Sequence, residues 1–290
     1  MTTIIRVDPE AARSSPPARD VRDRADLPDY ARRLQLQHAA FKKDYAACLT
    51  EFLADVDRTK VADIACGDGG FTRLLARAGG VREAVGFDND DDYLRAARSM
   101  SRRSDTEPRY DRLNATDPAG VGDARDAFDV VFCADSFQSI DDHDALVQTM
   151  IAMTRPGGRV WVTETDNAHD VIVSIPVEVD VRLRRLELQN MSEEKFDGYA
   201  FPRKAIGLFR ARGLSDVHVH TTSLTRTGPI DDATRAWLDH HMADRIDVLR
   251  LSNDDPVRRH AHPDGDRYFA KDEDALVTYL RYWIGGRKAS

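Results

Sequence analysis

Residues 61–90 read VADIACGDGG, FTRLLARAGG, VREAVGFDND, and this stretch decides the fold. Val61, Ala62 and Ile64 form a short apolar run, the pattern of a parallel strand buried on both faces. Asp63 interrupts the run near its end. Ala65-Cys66-Gly67-Asp68-Gly69-Gly70 follows. Its small residues let the backbone turn sharply and let a ligand approach the main chain. Residues 71–78 have the spacing of a short helix, with Leu74, Leu75 and Ala78 toward the sheet. Gly79-Gly80 ends that helix, because glycine tolerates a left-handed exit. Residues 84–87 make a second strand, and it delivers Asp88.

Asp88 stands 19 positions after Gly69. An acid at about that distance from a glycine turn can accept hydrogen bonds from both ribose hydroxyls of a nucleoside. A dinucleotide fingerprint needs a third glycine, and Thr72 occupies its place. No arginine stands beside Asp88 for a 2′-phosphate. The stretch instead resembles motif I of the class I S-adenosylmethionine (SAM) methyltransferases, D-x-G-x-G-x-G, written here Asp63-Ile64-Ala65-Cys66-Gly67-Asp68-Gly69. Ala65 replaces the family's first glycine. The resemblance implies that Asp63 orients the methionine end of SAM, that Gly67 and Gly69 pass under the cofactor, and that Asp88 binds its ribose. Cys66 and Asn89 border these positions and join the expected cofactor site.

The resemblance extends over roughly residues 30–165. Residues 109–113 form a third strand followed by Asn114-Ala115, where the family usually has Asp-Ala against the adenine. An asparagine can both accept and donate there. FDVVFCA at 128–134 is almost continuously apolar and reads as a central strand. Cys133, Ala134 and Asp135 end it at the carboxyl edge, where open α/β sheets bind ligands. A helix over 145–154 follows, then the turn Arg155-Pro156-Gly157-Gly158 and a fifth strand over 159–164. The family's fold is expected: a Rossmann-like, seven-stranded, mostly parallel sheet whose last strand, near 277–285, is antiparallel. A helix is the alternative for that last segment.

Outside this core, residues 1–25 are rich in Pro, Ser, Arg and Asp and read as a flexible tail. Residues 26–290 read as one domain. A helical pattern spans 29–54, with a break near His38 allowed, and Phe41, Tyr45, Cys48, Leu49 and Phe52 form its apolar face. Its first half lies where the resembled fold carries a lid. Helical insertions are expected near 168–200 and 228–270. In the second, Ala233, Trp237, Leu238, His241, Met242 and Leu249 share a face that suits core or dimer packing.

The net charge of −8, with Arg and Asp interspersed, argues against a phosphate-reading face and so against nucleic acid. No apolar run approaches the roughly 18 to 20 residues of a membrane span. Three scattered cysteines and no signal-peptide pattern point to the cytoplasm. His260-Ala261-His262 matches no strong zinc spacing, so no metal is expected. The expected function is methyl transfer from SAM to a small-molecule acceptor, with a homodimer open. The alternatives are SAM binding for a non-methylating or regulatory role, and methylation of protein or RNA. After strand four, Gln138 stands where many small-molecule members carry a histidine, and it does not titrate near neutrality. The expected catalytic set is therefore Gln138 for orientation, with His169 and Asp166 as auxiliary candidates. His143 reads as the cap of the following helix.

Overall fold

The structure is a computed structural model that describes residues 27–53, 60–101, 107–165, 171–172, 174–191 and 201–290. The expected tail lies outside these residues, as do His169 and Asp166.

Five strands run parallel: β1 Lys60–Ile64, β2 Glu83–Asp88, β3 Arg109–Arg112, β4 Phe128–Ala134 and β5 Thr154–Thr165, in the order β3-β2-β1-β4-β5. A two-residue strand, β6 Val171–Ile172, and a long strand, β7 Ser215–Thr227, both pair antiparallel with the last strand, β8 Leu276–Arg287. β8 also runs antiparallel to β5, so it is the reversed strand that the sequence suggested. Every residue of β4 except Ala134 is buried, as its apolar run requires. β5 starts earlier than expected. Arg155-Pro156-Gly157-Gly158 belongs to the strand as a bulged stretch, because the β4 register jumps from Phe128↔Thr154 to Val130↔Arg159.

Helix α1, Leu27–Phe52, is continuous through His38, where a break was allowed. Phe41, Tyr45, Cys48, Leu49 and Phe52 are all buried. Helix α2, Gly70–Arg77, follows the glycine turn, and α3, Asp91–Ser101, follows β2. Helix α4, His143–Met153, is capped by Asp142, whose side chain accepts from the Ala145 N–H. His143 is therefore not the cap; its Nε2 lies 2.9 Å from the Phe137 carbonyl. Helices α5, Val177–Asn190, and α6, Phe201–Ala211, lead to β7. Helices α7, Asp232–Asp247, and α8, Pro256–Ala261, form the insertion before β8, capped by Asp231 and Asp255.

The sheet carries an apolar layer on each face. One holds Phe41, Leu49, Phe71, Phe132 and Trp161; the other holds Ile64, Val85, Val131, Leu146 and Phe209. The α7 stripe is core: Trp237 meets Phe41 of α1 edge-on at 4.7 Å between ring centroids. His218 and His220, on one side of β7, pack around Trp161. Among the described residues, no helix is long and apolar enough to cross a membrane.

Candidate functional site

The register of the sheet brings the expected site residues to one edge. Ile64, the last residue of β1, pairs with Phe87 on one side and Cys133 on the other. Ala65, Asp88 and Ala134 are the next residues of those three strands. The Ser136 hydroxyl donates to the Ala65 carbonyl at 3.1 Å and ties the ends of β1 and β4 together. The Leu113 N–H donates to the Asp88 carbonyl at 3.0 Å, which brings Asn114 and Ala115 to the same edge.

The turn itself alternates into the left-handed region. Ala65, Gly67 and Gly69 have φ of 55°, 52° and 73°. Ala65 adopts this conformation with a Cβ, at a cost of about 1–2 kcal/mol. At Gly69 packing demands glycine as well: a Cβ there would lie 2.4 Å from the Tyr110 hydroxyl. Asp88 braces the turn from β2. Its Oδ2 accepts from the Gly67 N–H at 2.8 Å and its Oδ1 from the Asp90 N–H at 3.0 Å. Burial pushes the Asp88 carboxyl up, and these N–H donors pull it back. Each carboxylate oxygen keeps a lone pair for a ligand hydroxyl. Asn89 is exposed beside it. Cys66 and Cys133 are buried thiols.

Asp63 sits beneath the turn, 1% exposed, and its Oδ2 accepts from the Thr72 hydroxyl at 2.6 Å. Burial pushes its pKa up to about 7. The folded chain then holds a proton that the unfolded chain releases above the ordinary carboxylate range. The stabilisation from this group is complete below about pH 4 and fades as pH rises through about 7. Asp63→Asn should remove that part of the slope. Thermal unfolding of both proteins from pH 4 to 8 checks it, with parallel pH profiles as the contrary result.

Three further features complete the edge; the first, the lid formed by the start of α1, was expected from the resemblance, and the other two escaped the sequence reading. The first half of α1 lies over the turn. Leu34 Cδ1 is 3.1 Å from the position of a Cβ on Gly67, and His38 Nδ1 is 1.7 Å from that of a Cβ on Gly70. Gln37 Nε2 donates to Asp135 Oδ2 at 2.8 Å. Secondly, Asp135, at φ 53°, is gripped by Arg281 of β8 through two hydrogen bonds of 2.9 and 2.8 Å. Arg281 is 1% exposed and also donates to the Tyr45 hydroxyl at 3.0 Å and the Thr163 hydroxyl at 2.8 Å. Burial opposes its charge, but Asp135 beside it holds the guanidinium pKa above its ordinary value. Thirdly, Glu164 accepts from the Phe137 N–H at 2.8 Å, and burial followed by the Asp135 charge pushes its carboxyl up. Gln138 lies on the short turn Phe137–Ser139 that follows.

One sequence signal for Arg281 exists. Val277, Tyr279 and Trp283 alternate as buried residues of β8, and Arg281 falls in the same alternation. A buried arginine on such a face needs an acid. Among the described residues no group of three or more metal-ligating side chains converges. His260 Nδ1 is 2.9 Å from the Pro256 carbonyl, and His262 Nε2 is 3.3 Å from Asp247 Oδ1.

Residues 61–158 match the family model described as a methyltransferase domain. Over this stretch the chain is similar to the class I SAM-dependent methyltransferases, whose cofactor is SAM. It is 27% identical over 128 residues to a ubiquinone biosynthesis O-methyltransferase of Methylococcus capsulatus, covering 44% of this chain and 52% of that one. It is 28% identical over 123 residues to a trans-aconitate 2-methyltransferase of Variovorax paradoxus, covering 41% and 45%. The matches span about half the length, or less, of the first curated relatives. Two solved structures share the fold at 16% identity. They are the YcgJ protein from Bacillus subtilis, with TM-score 0.52 over 84% of this chain and 98% of that one, and a Bacillus halodurans protein titled a putative methyltransferase, with TM-score 0.53 over 84% and 99%.

Proposed function

We propose that this chain transfers a methyl group from SAM to a small-molecule acceptor in the cytoplasm. The observation that carries the reading is the left-handed turn at residues 65–69, braced by Asp88 through the Gly67 N–H. The turn and its acid fit the nucleoside end of SAM: the glycine backbone is bare, and Asp88 retains acceptor capacity. The curated relatives, which include methyltransferases of small acids and quinone precursors by their names, support an acceptor of that size. The net charge of −8 supports it over RNA.

Bound SAM supplies an electrophilic sulfonium methyl. The chain's own task is to hold the acceptor nucleophile in line with that methyl, which can lower the barrier by roughly 7–11 kcal/mol. Asp88 holds the ribose, with Asn89 at its rim. Ala65, Cys66, Gly67 and Gly69 form the floor, and Asp63 acts on the methionine end through the turn it braces. Asn114 and Ala115 border the adenine, and Cys133, Ala134 and Asp135 border the methyl. α1 covers the turn and excludes water. Catalysis is mainly positional: Gln138 orients the acceptor, and His169 and Asp166 serve as auxiliary proton acceptors.

The test is incubation with methyl-labelled SAM and pooled metabolites. The reading expects label in a small product. SAM retained without turnover overturns it in favour of a non-methylating role, and label in added protein or RNA overturns the acceptor class.

A further inference from the structure

β7 lies at one margin of the sheet. Its 13 residues pair with β8 along their length, and among the described residues no strand pairs with the other edge. Positions 217–225 read VHVHTTSLT, with no Asp, Glu, Lys, Arg or Pro. Thr221, Ser223, Thr225 and Thr227 are exposed. A long, uncharged edge rich in β-branched residues presents open ladder groups, and such an edge recruits another strand. The two charged residues of β7, Asp216 and Arg226, flank the stretch, each 5 positions from Thr221.

That spacing makes the edge complementary to itself. Two copies related by a two-fold axis perpendicular to the sheet pair antiparallel, with residues equally far from the axis opposite each other. With the axis at Thr221, threonine meets threonine at the centre, His218 meets Leu224, and each Asp216 comes to the partner's Arg226. An axis at Thr222 or Ser223 would set Arg226 against His218 or His220 instead. Asp216 sits on a bulge where the β8 register shifts, and its side chain is 59% exposed, with Arg159 Nη1 3.6 Å away. Arg226 donates to Asp44 Oδ2 of α1 at 2.6 Å, which holds its guanidinium at the strand.

We propose that two copies of this chain join through β7, antiparallel about a two-fold axis at Thr221, into one continuous sheet. The pairing closes both edges at once, and two Asp216–Arg226 ion pairs fix its register. β8 lies one strand from the interface. Its Arg281 pairs with Thr222 in the ladder, so the dimer braces the strand that grips Asp135.

Sedimentation velocity on the full chain should show a dimer. Asp216→Arg turns both ion pairs into repulsions, and Thr221→Asp sets two carboxylates face to face on the axis. Each should raise the dimer dissociation constant by roughly tenfold or more. Thr221→Cys should cross-link under a mild oxidant, because residues directly opposite in an antiparallel pair lie within disulfide reach. Thr225→Cys, displaced from the axis in each copy, should not. The native cysteines are buried, which keeps the background low. A monomeric chain would overturn the proposal and give the edge to a different strand. A dimer that neither charge variant weakens and that Thr221→Cys does not cross-link would overturn it too, as would cross-linking through Thr225→Cys in preference to Thr221→Cys.

Discussion

Arg281→Met should lower the unfolding free energy by about 3–5 kcal/mol, because removing one partner leaves the other charge buried and unpaired. The side chain holds Asp135 with two hydrogen bonds and reaches Tyr45 and Thr163 as well, so one substitution strips four contacts. Glu164 lies next to the same acid, and its raised pKa depends partly on that charge. Arg281→Lys should recover little, since an ammonium cannot reproduce the paired geometry of a guanidinium. Pairing Arg281→Met with Asp135→Asn should restore part of the loss, because no unpaired charge remains. Urea unfolding measures all three variants. A loss below about 1 kcal/mol for Arg281→Met would show that the pair adds nothing beyond its own desolvation.

Asp88→Ala should cost about 2–4 kcal/mol of SAM affinity, roughly a thirtyfold to thousandfold weakening, from two lost charge-assisted hydrogen bonds. The structure adds a second contribution in the same direction. Asp88 also fixes the Gly67 N–H, so its loss loosens the turn that forms the floor of the site. Asp88→Asn, which keeps one acceptor oxygen for Gly67, should fall between the two. Calorimetry with folded variants measures this, and unchanged affinity in Asp88→Ala would remove Asp88 from the site.

The parts of this site that could be read from the chain are those built locally. The strand, turn, helix and acid of residues 61–90 lie within 30 consecutive positions, and each step leaves its own residue types. The parts that escaped depend on distant chain meeting in space. Arg281 and Asp135 are 146 positions apart, and nothing local to either names the other. The apolar face of α1 was legible as a face, but periodicity does not say what its other side covers. Packing of Phe41 against Trp237, in the late insertion, and of Phe52 against Trp161 and Trp283 seats the helix so that Leu34 and His38 overlie the turn and Gln37 reaches Asp135. His143 was misread as a cap because Asp142 beside it is the better acceptor for a free helix N–H. The glycines at 157 and 158 signalled a turn, yet the chain absorbs them as a bulge within β5.

The central claim is that SAM seats on the turn at residues 65–70, against Asp88 and under α1. Hydrogen–deuterium exchange with and without S-adenosylhomocysteine tests it most directly. Exchange should slow at residues 65–70, at 88–90 and along α1 near 34–38, and stay unchanged along β7. No slowing at 65–70 and 88–90, or slowing confined to residues 228–270, would contradict it.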